Sequence, residues 1–319
     1  MRKIVNLFFS SSIFILVCLI AVSASAGDKE TMGVVVITHG APMPQWNKKA
    51  IDFVASVKCQ HPIEPAFLDF AGERTLEKAV RNLETKGANN ILIVHLSPSS
   101  YSNHHEELSY LVGLRKDLGF YTEHTDTPIK SPSRFAVSPC MDDHPLAVEI
   151  LTQYARELSR EPAKESLMLI GHGPVEEVEN IMWVRQLARI GKQITKSLPF
   201  KEVACMTLRS DSADLIREQA HEDLRETALR LSAQGRVIVV VYSVGSSLLQ
   251  REVQHIMKGI PSIAFSNKGI LEHPNAVKWV EATIQKGMNQ TPVPPINRKW
   301  TNMDQETGKP PGTTRYGLL

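Results

Sequence analysis

The sequence predicts an α/β protein of two duplicated halves, each a parallel sheet flanked by helices, with a cleft between them. Three observations predict it. Short β-branched apolar runs alternate with stretches of helical period. The phrase Val34-Val-Val-Ile-Thr-His39-Gly40 returns as Leu167-Met-Leu-Ile-Gly-His172-Gly173, the two histidines 133 residues apart. The closing phrase Asp143-His-Pro-Leu-Ala-Val148 returns as Glu272-His-Pro-Asn-Ala-Val277. Matched starts and matched ends mark an internal duplication.

Taken in order, Val34 to Ile37 is a short apolar run ending at a His-Gly turn, as a strand buried on both faces should. Residues 46–58 place Ile51, Val54 and Ala55 at helical spacing. Residues 65–70 form the second strand. Residues 75–86 are helical, with Leu76, Ala79, Val80 and Leu83 on one face and Gly87 as the stop. Residues 91–96 are the third strand, and Asn103 with Glu106 reads as a capping box that starts a helix with His104 and His105 in its first turn. In the second half, residues 167–170 and 236–242 repeat the first and third strands. The expected division is residues 27–141, carrying the candidate metal site, and residues 142–287, a degenerate copy.

The ends of the chain differ from its middle. Arg2 and Lys3 precede an apolar run from Ile13 to Val22, and Ala24-Ser-Ala26 offers small residues for cleavage before Gly27, so residues 1–26 are expected to be a secretory signal. The protein is then periplasmic or otherwise exported, without a stable membrane anchor after cleavage. Residues 288–319 are rich in Pro, Gly and polar residues and are expected to form a flexible tail. Cleavage removes two of 36 cations against 34 acids, and the neutral balance that remains gives no nucleic-acid footprint. Cys59, Cys140 and Cys205 remain, an odd number without C-x-x-C spacing, which argues against a thiolate zinc site; in an oxidising compartment one pair can bridge.

Ligands of parallel sheets sit beyond the carboxyl ends of the strands. There the first half places His39, Asp69 and the pair His104/His105. Two imidazoles and a carboxylate suit Co²⁺, Ni²⁺, Fe²⁺ or Zn²⁺ and leave coordination positions open for exchange. His104 is preferred over His105 because it stands three residues before Glu107. In the second half His172 repeats His39, but Gln250 or a neighbour falls where His104 stood, and residues 204–209 replace the Asp69 region, so this half is expected to wall the cleft without a full ligand set. P-loop, dinucleotide and nucleophile-elbow motifs are absent from the sequence, so no nucleotide is expected. His61, His95, His124, His144 and His273 have no partner at ligand spacing and are assigned turn, strand and cap roles.

The strand ending in His39-Gly40, the phrase Ala66-Phe-Leu-Asp-Phe70 with Thr75-Leu-Glu-Lys-Ala79 after it, Lys86-Gly87-Ala88, and the strand leading to His104-x-x-Glu107 together resemble the sirohydrochlorin cobaltochelatase family. These class II tetrapyrrole chelatases are related to ferrochelatase, and their long members carry two such halves. The resemblance spans about residues 33–285. It implies two Rossmann-like, chelatase-type domains and the insertion of a divalent metal, cobalt in the namesake reaction of cobalamin biosynthesis, into a sirohydrochlorin-type tetrapyrrole. The metal is substrate, with Ni²⁺ or Fe²⁺ as alternatives to Co²⁺. The resemblance assigns metal handling to His39 and His104, with Asp69 where many members have glutamate and Glu107 orienting or accepting a proton from His104. The glycine-rich approach usual in the family is replaced here by Ser99-Ser-Tyr-Ser-Asn103. Two other readings stand beside it: a non-catalytic periplasmic metal or haem/tetrapyrrole binding protein, and an α/β binding domain for an unrelated small ligand.

Overall fold

The structure, a computed structural model, describes residues 31–116, 118, 127–245, 248–289 and 292. The expected signal segment, nearly all of the expected tail, and His124 lie outside these residues. Among the described residues no helix is long and apolar enough to cross a membrane.

Each half is a four-stranded parallel sheet of the same order. In the first, β1 (Met32–Thr38) and β3 (Asn90–His95) are central, β2 (Ile63–Phe67) flanks β1, and β4 (Arg134–Val137) flanks β3. In the second, β5 (Ser166–Gly171) and β7 (Val237–Tyr242) are central, with β6 (Glu202–Thr207) and β8 (Ile263–Phe265) at the edges. Every pairing is parallel. The apolar runs are continuous because both faces are covered: Val35, Ile37, Ile91 and Ile93 pack under α2 (Leu76–Thr85) and α3 (Asn103–Leu111), while Val34, Val36, Leu92 and Val94 point to the opposite core. The second sheet divides likewise, with α6 (Asp214–Ser232) and α7 (Leu248–Ile256) over its outer face.

The inner faces of both sheets share one core, filled from α1 (Pro44–Ser56), α4 (Pro145–Leu158), α5 (Glu177–Ile194) and α8 (Pro274–Gly287). The final helices of the two halves are exchanged between sheets. Helix α4 leaves the first sheet and packs on β7, and α8 returns to pack on β3. That approach is close enough that a Cβ on Gly287 would sit 2.5 Å from Leu92 Cδ2. Tyr154 of α4 donates its hydroxyl to Gly269 O at 2.9 Å, and Asn275 of α8 donates to Glu149 of α4 at 2.8 Å.

Local rules explain most boundaries. Helix α2 starts where Thr75 Oγ1 accepts from Lys78 N, and it stops at Gly87, whose φ is +89°. Helix α1 begins two residues before the expected start because Pro44 supplies a preset φ in its first turn. Two expectations fail. Strand β2 ends at Phe67, not at residue 70, because Phe70 turns to φ +50° and breaks the extended run, so Asp69 lies in the loop beyond the strand. The capping box at Asn103 does not form. Ser102 is the N-cap of α3, Asn103 is inside the helix, and the Glu106 carboxylate pairs with Arg115 at 2.6 Å instead of reaching back. A charged partner outcompeted a backbone N–H for that carboxylate.

Candidate active site

The carboxyl ends of β1 and β2 are in register, and their ladder continues one step into the loops: Leu68 N donates to Thr38 O and Asp69 N to His39 O. This brings Asp69 beside His39, with Oδ2 3.1 Å from Nε2 and both side chains half-exposed. The turn requires glycine after the histidine, since Gly40 has φ +91° and a Cβ there would lie 2.1 Å from Asp69 O. Gly40 O can only accept, so His39 Nδ1, 3.0 Å away, carries the proton. In the neutral ring Nε2 then presents a lone pair to a carboxylate, two acceptors face to face. A proton or a cation shared between them resolves the contact.

His104 approaches from the first turn of α3, its ring edge-on to His39 with centroids 4.6 Å apart. Its Nδ1 donates to Glu107 Oε2 at 3.1 Å, and the buried Glu107 thereby sets the tautomer that leaves the lone pair on Nε2. The β3–α3 loop that delivers His104 is held to the other half by Gln186 of α5, which is wholly buried, accepts from Ser99 Oγ at 2.6 Å and donates to Pro98 O at 2.8 Å. The structure therefore brings together His39, Asp69, His104 and Glu107, all four singled out from sequence. His105 turns away toward the protein interior.

The second half contributes more than a wall. His172 repeats His39 down to the bond between Nδ1 and the following glycine carbonyl, 3.1 Å, and pairs through Nε2 with Asp211 Oδ2 at 3.5 Å. Burial holds His172 below the ordinary imidazole value; Asp211 opposes that shift and the nearby His104 reinforces it. Sequence comparison missed Asp211 because Arg209 N takes the backbone position of Asp69, bonding to His172 O, and the carboxylate comes two residues later. At the position of His104, Gln250 is buried and donates to Ser243 Oγ, so the second histidine is missing there, as expected.

Two further groups escaped the sequence reading. Glu179 of α5 is pushed up to about 7 by burial and then by Glu106 and Glu176, so it exchanges its proton near neutrality. His95, assigned a plain strand role, has partners that only the fold reveals, His105 and Cys140. The cap roles of His144 and His273 hold, each accepting the backbone N–H of the residue after the opening proline of its helix, Leu146 and Asn275, and Cys59, Cys140 and Cys205 are all free thiols.

Burial also holds His95 well below the ordinary imidazole value. The unfolded chain takes up a proton near pH 6.5 that the folded chain refuses, so stability is level above about pH 7 and falls as pH drops through about 6.5. His95 contributes a slope of about 1.4 kcal/mol per pH unit, and His172 adds in the same direction. Glu179 acts in the opposite sense over the same range, since the folded chain binds its proton first, so the decline is read in a Glu179→Gln chain: its metal-free urea midpoints should fall from about pH 7 to about pH 5.5, and midpoints independent of pH there would show that these rings charge without penalty.

A model of the CbiX family matches residues 33–158. Sirohydrochlorin cobaltochelatases of Saccharolobus islandicus and Saccharolobus solfataricus are 30% identical to the chain over 87 residues, which is 27% of this chain and 67% of theirs. The chain belongs to the sirohydrochlorin cobaltochelatase family. Solved structures extend the likeness over both halves. SirB from Bacillus subtilis with Fe³⁺ superposes with a TM-score of 0.59 at 17% identity, covering 80% of this chain and 95% of that one. SirB from Bacillus subtilis subspecies spizizenii in complex with cobalt gives 0.56 at 17% identity, with 80% and 94% covered. A CbiX described as the terminal enzyme of siroheme biosynthesis in denitrifying bacteria gives 0.52 at 15% identity, with 80% and 98% covered. At these identities the structures show a shared chelatase fold, and the duplicated architecture expected from sequence is that fold.

Proposed function

We propose that this protein inserts a divalent metal, Co²⁺ foremost, into a sirohydrochlorin-type tetrapyrrole bound in the cleft between its halves. The observation that carries the reading is the pair of opposed acceptors, His39 Nε2 and Asp69 Oδ2 at 3.1 Å, with the His104 ring edge-on beside them. Such a pair is built for a cation. Residues 27–141 supply this site and residues 142–287 close the cleft, adding His172 and Asp211 on the facing side.

In the reaction M²⁺ replaces two pyrrole N–H protons, and both protons leave. His39, Asp69 and His104 hold the ion while it sheds water, three ligands with positions open for the incoming pyrrole nitrogens. As the ion moves into the macrocycle the vacated imidazoles accept the pyrrole protons, and Glu107 stabilises the imidazolium of His104 through Nδ1. The cationic N-terminal segment followed by an apolar run and an A-x-A site supports export.

Purified protein mixed with Co²⁺ and sirohydrochlorin should convert the macrocycle absorbance to that of the cobalt complex, above the metal-only rate and over many turnovers. A shift that stops at one equivalent per chain would replace catalysis with the binding-protein reading. Fractionation of cells carrying a C-terminally tagged chain tests export, which fails if the tag stays cytoplasmic at full length.

A further inference from the structure

Next to the proposed substrate-metal ligands, three side chains from distant parts of the chain meet in the interior. His95 ends β3 and is 1% exposed, His105 sits in the first turn of α3, and Cys140, 4% exposed, lies in the loop between β4 and α4. Their Nδ1, Nδ1 and Sγ atoms form a triangle with edges of 3.2 Å between the nitrogens, 3.3 Å from His95 to the sulfur, and 3.6 Å from His105 to the sulfur. Hydrogen bonds account poorly for such a triangle. An imidazole nitrogen has one in-plane direction, holding either a proton or a lone pair, yet each of these nitrogens faces two partners. A cation over the triangle uses all three lone pairs at once. Metal–nitrogen bonds of about 2.0 Å and a metal–sulfur bond of about 2.3 Å at tetrahedral angles give edges of about 3.3 Å and 3.5 Å, within a few tenths of those found.

We propose that His95, His105 and Cys140 form a second metal site, which binds a Zn²⁺- or Co²⁺-class ion separately from the substrate ion at His39 and His104. The donor set differs in kind from the outer one. Two imidazoles and a thiolate favour a softer ion and disfavour Mg²⁺ or Ca²⁺, whereas the outer set is two imidazoles and a carboxylate. Binding is balanced by one proton: M²⁺ displaces the thiol hydrogen of Cys140 to solvent, and both histidines enter as neutral rings. Burial already keeps the two imidazoles in that neutral form. The same burial, and then the Asp142 carboxylate, push the thiol up, so the proton leaves only as the ion arrives. The adjacent residues His104 and His105 thus place one ring in each site, and the inner ion ties the first turn of α3 to the end of β3.

The test is a Co²⁺ titration of the purified full chain without tetrapyrrole. One equivalent should produce a thiolate-to-cobalt charge-transfer band in the near ultraviolet together with the intense visible bands of tetrahedral cobalt, and Zn²⁺ should bleach both. The bands should survive in His39→Ala/His104→Ala and in Cys59→Ser/Cys205→Ser. They should disappear in Cys140→Ser, with cobalt affinity falling by more than the roughly 10- to 100-fold that a lost outer partner costs. If Cys140→Ser does not fold, His105→Ala serves in its place, and there the tetrahedral bands should collapse. No charge-transfer band in the folded wild type overturns the site. So does a band that persists in Cys140→Ser or vanishes in His39→Ala/His104→Ala, and neither result bears on turnover at the outer site.

Discussion

The His39→Ala/His104→Ala chain is expected to lose metal insertion by about 10²- to 10⁴-fold, the range that positioned proton transfer contributes, with ligand loss adding to it. Its thermal transition should fall only by the cost of leaving the buried Glu107 carboxylate without His104, about 1–3 kcal/mol. Both rings stand at the cleft end of the sheet, outside the packed core, and His39 is half-exposed, so their removal opens no buried cavity. His39→Ala alone removes the imidazole but leaves Asp69 with a bond from its own backbone N–H to His39 O, so the carboxylate stays in place and some metal capture remains. The double variant removes both nitrogens that can ligate and then accept a proton. Rates of cobalt uptake into sirohydrochlorin, measured beside melting curves, decide the matter. A doubly substituted chain that turns over at the wild-type rate would leave the site without its proposed chemistry.

Ending the chain at residue 273 should abolish the cooperative fold, although residues 27–141 and 142–273 retain every strand of both sheets. The reason is the exchange of helices. Helix α8 brings Ala276, Trp279, Val280 and Ile284 into the core shared by the two sheets and covers β3, the central strand of the first sheet. Emptying a buried tryptophan site alone costs about 3–5 kcal/mol, against a total stability of about 5–15 kcal/mol. Removing four such residues together with their helix exceeds that margin. Residues 27–141 expressed alone meet the same difficulty, since the face of Val34, Val36, Leu92 and Val94 then looks onto water. Near-ultraviolet circular dichroism and size exclusion should report loss of fixed packing and association. A sharp melting transition from either fragment would show that the exchanged helix is dispensable.

Which parts of this were readable in the chain follows from the range over which each signal acts. The strands were legible because continuous β-branched runs mark burial on both faces, and α2 because Thr75 and Gly87 punctuate it within a few residues. The duplication was legible from repeated phrases, the strand ends pointed to His39, Asp69 and His104, and the resemblance then implied their roles and that of Glu107. The start of α3 was misread because Glu106 had a competitor, Arg115, that no capping rule takes into account. Asp211 was missed because the loop of the second half shifts its carboxylate by two positions relative to the backbone ladder.

The sequence by itself determined the alternation of elements, the pairing of halves, and the residue types at the strand ends, since each depends on neighbours within about one element's length. Only the tertiary structure decided that α4 and α8 trade sheets, that His172, paired with Asp211, comes within electrostatic reach of His104, and that His95, His105 and Cys140 share one point in the interior. Those three outcomes depend on the register of parallel strands and on the turn of α3. The sequence separation of His95 and Cys140, 45 residues, carries no trace of an edge of 3.3 Å. Parallel pairing joins strands across crossovers of a dozen residues or more, so what meets at the edge of such a sheet is set by register and not by spacing.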